Sequence, residues 1–127
     1  MGDNGAIRLV IVEDNQVFRE ALELLLGLRS DVEVVASTAD GEEVVDICRR
    51  HEPDVVLMDY RLPGVDGIEA TRAITSACPG VKVVALTASA NRDEMKALED
   101  AGAVACLTKD QELDQIVAAI HAAAARA

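Results

Sequence analysis

The chain has 127 residues, with 12 basic and 23 acidic side chains and a formal net charge of −11. That is enough for one domain with a real core and no staples, and the acidic balance disfavours nonspecific binding to nucleic acid or to an anionic membrane. Its three cysteines, Cys48, Cys78 and Cys106, are scattered through apolar or helical contexts without a CxxC, which suits reduced thiols in a cytoplasmic protein and argues against zinc. There is no signal-peptide pattern and no apolar run approaching about 20 residues, so nothing points to export or a membrane span.

Residues 1–5 are small and polar and form a short lead-in. Ile7 to Val12 is a β-branched apolar run closed by Glu13, Asp14 and Asn15, which predicts a first strand ending on carboxylates and a helix cap. From Gln16 to Leu28 the residues Val17, Ala21, Leu24, Leu25 and Leu28 recur at helical spacing and predict the inward face, with Arg19, Glu20 and Glu23 opposite. Val32 to Ala36 predicts a second strand, and Asp40 with Glu43 a capping box opening a second helix that ends near His51 and Pro53. Val55 to Met58 is uninterrupted apolar sequence stopping on Asp59, as expected of a strand buried on both faces.

Leu62, Pro63 and Gly64, then Asp66 and Gly67, carry turn chemistry before a third helix over Ile68 to Ala77, which Pro79 and Gly80 end. A fourth strand, Val81 to Leu86, runs out on Thr87. A fourth helix follows over Asn91 to Ala101, stopped by Gly102. Ala103 to Leu107 predicts a fifth strand leading to Lys109, and Asp110 a cap for a last helix whose core face is Leu113, Ile116, Val117 and Ile120. Ala122 to Ala127 suits either a frayed helix end or the start of a linker.

Five strand–helix units with short connections predict an α/β domain with a doubly wound, flavodoxin-like parallel sheet in the order 2-1-3-4-5, spanning residues 1–127. Neighbouring strands lie about 4.8 Å apart, so Glu13, Asp14 and Asp59 converge on one rim at the switch point between strands one and three. Carboxylates this close call for protonation or a hard divalent cation, and Mg²⁺ fits an all-oxygen set. Lys109 would bring a positive charge to an anion beside it and Thr87 a hydroxyl. Together these are the parts with which an aspartate accepts a phosphoryl group. Acids at strand ends, a threonine and a surface lysine all have ordinary structural uses. Their convergence is what argues for chemistry.

The ordered set VIVEDNQ, LMDYRLPGVDG, ALTASA and CLTKD resembles the response-regulator receiver domain of two-component signalling, over essentially the whole chain. The resemblance implies that Asp59 is the phosphoacceptor, Asp14 a direct Mg²⁺ ligand, Glu13 a ligand through water, and the Arg61 carbonyl the remaining protein ligand. It further implies Thr87 as switch hydroxyl and Lys109 as phosphate-binding cation, and a phosphate held by both would pull in the loop from Thr87 to Asn91 and reshape the face made by the fourth helix, fifth strand and fifth helix. The implied partners are a sensor histidine kinase or phosphotransfer protein, with room for a homodimer formed on phosphorylation, and no direct contact with nucleic acid or membrane. Such a domain is no enzyme beyond its own phosphoryl transfer and autodephosphorylation. LTKD with RLPGVDG is closest to the class with a C-terminal helix-turn-helix, which implies transcriptional regulation through a separate domain. Cys106 departs from the family, which usually carries an aromatic three residues before the lysine.

Rival functions lack their own signatures. A flavodoxin-like cofactor binder needs a Ser/Thr/Gly-rich loop where Glu13 and Asp14 stand, a phosphohydrolase needs an acid where Arg61 stands, and no GxxxxGK[ST] occurs. A receiver-like interaction module that is never phosphorylated is the alternative, and Cys106 is the one residue that speaks for it.

Overall fold

The computed structural model describes residues 5–62, 65–88 and 91–126. The elements are β1 (Ile7–Val12), α1 (Gln16–Gly27), β2 (Val32–Thr38), a single 3₁₀ turn (Gly41–Glu43), α2 (Val44–His51), β3 (Val55–Asp59), α3 (Gly67–Ala77), β4 (Lys82–Thr87), α4 (Arg92–Ala101), β5 (Ala105–Thr108) and α5 (Leu113–Ala124). All strand pairs are parallel, in the order β2-β1-β3-β4-β5. The predicted topology is therefore the observed one. Among the described residues no helix is long and apolar enough to cross a membrane.

The two-residue period of a strand divides the core in two. Leu9, Ile11, Val55, Leu57, Val84 and Leu86 face α1 and α5, meeting Leu22, Leu26, Ile116 and Ile120. Val10, Val12, Val56, Met58, Val83 and Ala85 face α2, α3 and α4, meeting Val44, Ile47, Ile74 and Leu98. Every residue of β3 is buried, because it is the central strand and is covered on both sides. Truncating a side chain such as Leu57, 1 % exposed, to alanine would cost about 2–5 kcal/mol.

Three expectations are corrected. On α1, Val17, Leu24, Leu25 and Leu28 are 80, 65, 43 and 76 % exposed and Ala21 is exposed as well, while Leu22 and Leu26 are buried. A second apolar stripe, Phe18, Leu22 and Leu26, takes the inward face. Asn15 caps the helix by accepting from the Phe18 N–H (3.0 Å), and Arg19, predicted outward, donates to the Glu13 carbonyl (2.9 Å). These two anchors turn the Leu22 side of the helix onto the sheet.

The predicted capping box at Asp40 does not close on Glu43. Asp40 accepts from the Glu42 N–H (2.8 Å), and the Glu43 carboxylate instead accepts from the buried Thr38 hydroxyl (2.7 Å), so a 3₁₀ turn precedes α2. On the last helix the cap is Glu112, which shares a capping box with Gln115. Asp110 accepts from the Thr108 hydroxyl and stays in the preceding turn. The core face of α5 is as predicted, with Ile116, Val117 and Ile120 buried and Leu113 partly buried.

Candidate functional site

The strand ends bring the predicted rim residues together. Leu9 to Val12 of β1 pair with Val55 to Met58 of β3, so Glu13 and Asp59 follow one another off neighbouring strands. Carboxylate oxygens of Glu13, Asp14 and Asp59 all lie within 4.8 Å of one another. Glu13 is 1 % and Asp59 3 % exposed, whereas Asp14 is exposed.

Lys109 arrives from the far edge through β5. Its backbone N–H donates to the Thr87 carbonyl (2.8 Å), and its Nζ lies 2.9 Å from Glu13 Oε1 and 3.2 Å from Asp59 Oδ1. Thr87 ends β4 one residue past Leu86, the partner of Asp59, and is 2 % exposed. Arg61 sends its backbone N–H to Asp59 Oδ1 (3.3 Å). All six predicted site residues thus lie at one rim. The loop expected to move begins at Thr87, but its residues Ser89 and Ala90 lie outside the described residues, as do Pro63 and Gly64 of the turn after Asp59.

One lysine among three acids leaves the site short of positive charge. Burial, then the Asp14 and Glu13 carboxylates, push the Asp59 carboxyl up to about 7, against the pull of Lys109. Burial also works against the charge of Lys109. Its hydrogen bond to Glu13 and the charges of Asp59 and Glu13 outweigh that, and its pKa is raised. Asp59 Oδ2 is buried with no hydrogen-bond donor among the described residues. An oxygen in that condition, inside an all-carboxylate set of this size, is what a hard divalent cation with oxygen ligands satisfies.

Three supports escaped the sequence reading. The Asn15 N–H donates to Glu13 Oε2 (3.0 Å), holding the buried carboxylate in place. Phe18, the only phenylalanine, lies under Lys109 with its ring centre 5.1 Å from Nζ. Its position one turn after Asp14 was the available signal. Gly67, expected to serve only the turn and helix start, also backs Asp59: a Cβ there would meet the Asp59 carbonyl oxygen at 2.6 Å and Tyr60 Cα at 2.7 Å. Asp66 caps α3 through the Glu69 N–H (2.9 Å), as expected. Cys106 is half-buried and its thiol donates to the Met95 carbonyl (3.6 Å).

Doubly wound topology and a buried aspartate beside two acids and a lysine define a class: α/β domains whose site is the carboxyl rim of a parallel sheet. Residues 9–121 match the response regulator receiver domain family, and the chain belongs to it. It is 36 % identical over 118 residues to the transcriptional regulatory protein DegU of Brevibacillus brevis, covering 93 % of this chain and 50 % of that protein. It is 39 % identical over 114 residues to the transcriptional regulatory protein LnrK of Bacillus subtilis, covering 90 % of this chain and 52 % of that one. The chain therefore spans about half the length of these relatives. Among solved structures, a LuxR-family two-component response regulator from Aurantimonas superposes with a TM-score of 0.89 at 33 % identity, covering 94 % of this chain and 86 % of that one.

Proposed function

We propose that residues 1–127 act as one receiver unit that takes a phosphoryl group onto Asp59 from the phosphohistidine of a sensor kinase or phosphotransfer protein. An Asp59 carboxylate oxygen attacks phosphorus as the phosphorus–nitrogen bond to the donor breaks, and the imidazole leaves with the electron pair. Lys109 Nζ, 3.2 Å from Asp59, stabilises the charge on the transferred oxygens. The Thr87 hydroxyl donates to one of them. The Asn15 N–H and Lys109 keep Glu13 fixed while this happens. Glu13, Asp14, Asp59 and the Arg61 carbonyl would hold Mg²⁺, whose charge there would keep Asp59 ionised and offset that of the phosphoryl oxygens.

One observation carries the reading: a buried aspartate whose second oxygen lacks a donor among the described residues stands within 4.8 Å of two more carboxylates and beside a lysine. The names of the relatives, which are transcriptional regulatory proteins, support a role in transcription through a domain beyond this chain. The same reading places the chain in the cytoplasm, with a homodimer as one form of output. The test is intact-mass spectrometry after incubation with Mg²⁺ and acetyl phosphate. A single adduct of about 80 Da on the native chain, absent from Asp59→Asn and lost with a chelator, is expected. An adduct that persists on Asp59→Asn would place the acceptor elsewhere. No adduct with any metal or donor would favour the phosphorylation-independent module, with Cys106 as the residue to replace first.

A further inference from the structure

A second cation stands at this rim, and the chemistry above uses only its backbone. Arg61 lines a cavity of about 440 Å³ with Asp14, Tyr60, Leu62 and Asp66. It is the single basic residue of that lining, between two acids. Its guanidinium pairs with Glu94 in the first turn of α4, at 3.7 Å, with the Tyr60 ring centre 5.7 Å from its Cζ. The Arg61 side chain is 76 % exposed and that of Glu94 20 %. Glu94 is the more buried of the two and stands in a capped first turn, its backbone N–H donating to Asn91 Oδ1 (3.0 Å).

A long, exposed ion pair of this kind contributes little and is easily exchanged for a better one. A phosphoryl group on Asp59 would offer that better partner. It carries close to two negative charges and three acceptor oxygens, and the planar guanidinium fork matches it with paired hydrogen bonds. Resting on the acceptor reading of Asp59, we propose that Arg61 is a phosphoryl clamp held off by Glu94. When Asp59 carries the phosphoryl, the guanidinium leaves Glu94 and closes on it, which prolongs the acyl phosphate and frees the first turn of α4. The same exchange links the acceptor loop to α4 without an aromatic at position 106.

The experiment is a double-mutant cycle on adduct lifetime. The native chain, Arg61→Ala, Glu94→Gln and the double variant are labelled with acetyl phosphate and Mg²⁺, the donor is removed, and decay is followed by intact mass. Alanine at 61 keeps the backbone carbonyl, so any role of that oxygen toward Mg²⁺ survives. Arg61→Ala is expected to shorten the lifetime about threefold to tenfold, and Glu94→Gln to lengthen it about threefold by releasing the guanidinium. In the double variant the Glu94 effect should vanish, and Arg61→Lys should fall between arginine and alanine. A Glu94→Gln effect of the same size in both backgrounds, or an unchanged lifetime in Arg61→Ala, overturns the clamp. Absence of any adduct on the native chain is a different failure: it removes Asp59 as acceptor, and the clamp with it.

Discussion

Asp59 and Asp31 stand at opposite ends of the parallel sheet, each against basic side chains, and their carboxyls shift in opposite directions. Arg29 grips Asp31 with two hydrogen bonds (2.9 and 3.0 Å), and His121 of α5 reaches it at 2.7 Å. The Arg29 bond first, and then His121, hold the Asp31 carboxyl well below the usual carboxylate range. Asp59 has one lysine, shared with Glu13, and burial dominates, so its carboxyl is pushed up to about 7. A basic neighbour therefore does not decide the charge of an acid. The balance of desolvation, competing acids and available donors does. At Asp31 that balance makes a surface clasp between α5 and the turn before β2. At Asp59 it leaves an acid that gains from an added cation.

The comparison can be broken most strongly at Lys109. Lys109→Met leaves Glu13, 1 % exposed, and Asp59 without their cation, and is expected to lower unfolding free energy by about 2–4 kcal/mol at pH 7.5 in urea denaturation. Loss of less than half a kcal/mol would mean that the lysine is a bystander. Asp59→Asn, of intermediate size, should act in the other direction. Because the folded value is raised above the ordinary one of about 4, the native state holds a proton that the unfolded state has lost. Stability should fall as pH rises from about 4 to about 7. The asparagine variant should lack that slope and exceed the native chain by about 1–2 kcal/mol at pH 7.5 without metal, once screening at the open rim is allowed for. Added Mg²⁺ should narrow the gap. A native chain with a flat profile over this window would contradict the raised value.

The smallest effect is expected at Asp31, where the shift is downward. Its contribution is present above about pH 4 and is lost as pH falls through the lowered folded value. Asp31→Asn should cause a small drop in Tm at pH 7 that 1 M salt erases, since the group is exposed and screened. A drop that resists salt would show the clasp to be better sheltered than its surroundings suggest.

The two helices that cover one face of the sheet show how much was legible in advance. On α5 the stripe Ile116, Val117 and Ile120 is the only large apolar one, and it is buried. On α1 two stripes compete, Val17–Ala21–Leu24–Leu28 and Phe18–Leu22–Leu26, and periodicity alone cannot choose between them. The choice falls to Asn15 and Arg19, whose bonds to the Phe18 N–H and the Glu13 carbonyl set the rotation of the helix. Glu13, Asp14, Asp59, Thr87 and Lys109 were legible because they fall at strand ends, and strand ends in a parallel sheet share a rim, whereas Arg61 came only from the resemblance. Phe18 and Glu94 were not, because their roles depend on contacts across elements, with Lys109 and Arg61; of Asn15 only the helix cap was legible.

What the sequence determined by itself is the order of elements, the strand alternation that splits the core, and the family to which the motifs belong. These are local or repetitive properties, encoded in spacing and in residue type. The tertiary structure alone decided which face of α1 turns inward, that one lysine is shared by two buried acids, and that the Arg61 guanidinium pairs with Glu94. The first depends on the bonds that seat the start of α1 at the end of β1, and the other two on distances between side chains far apart in the chain, through which burial and charge act.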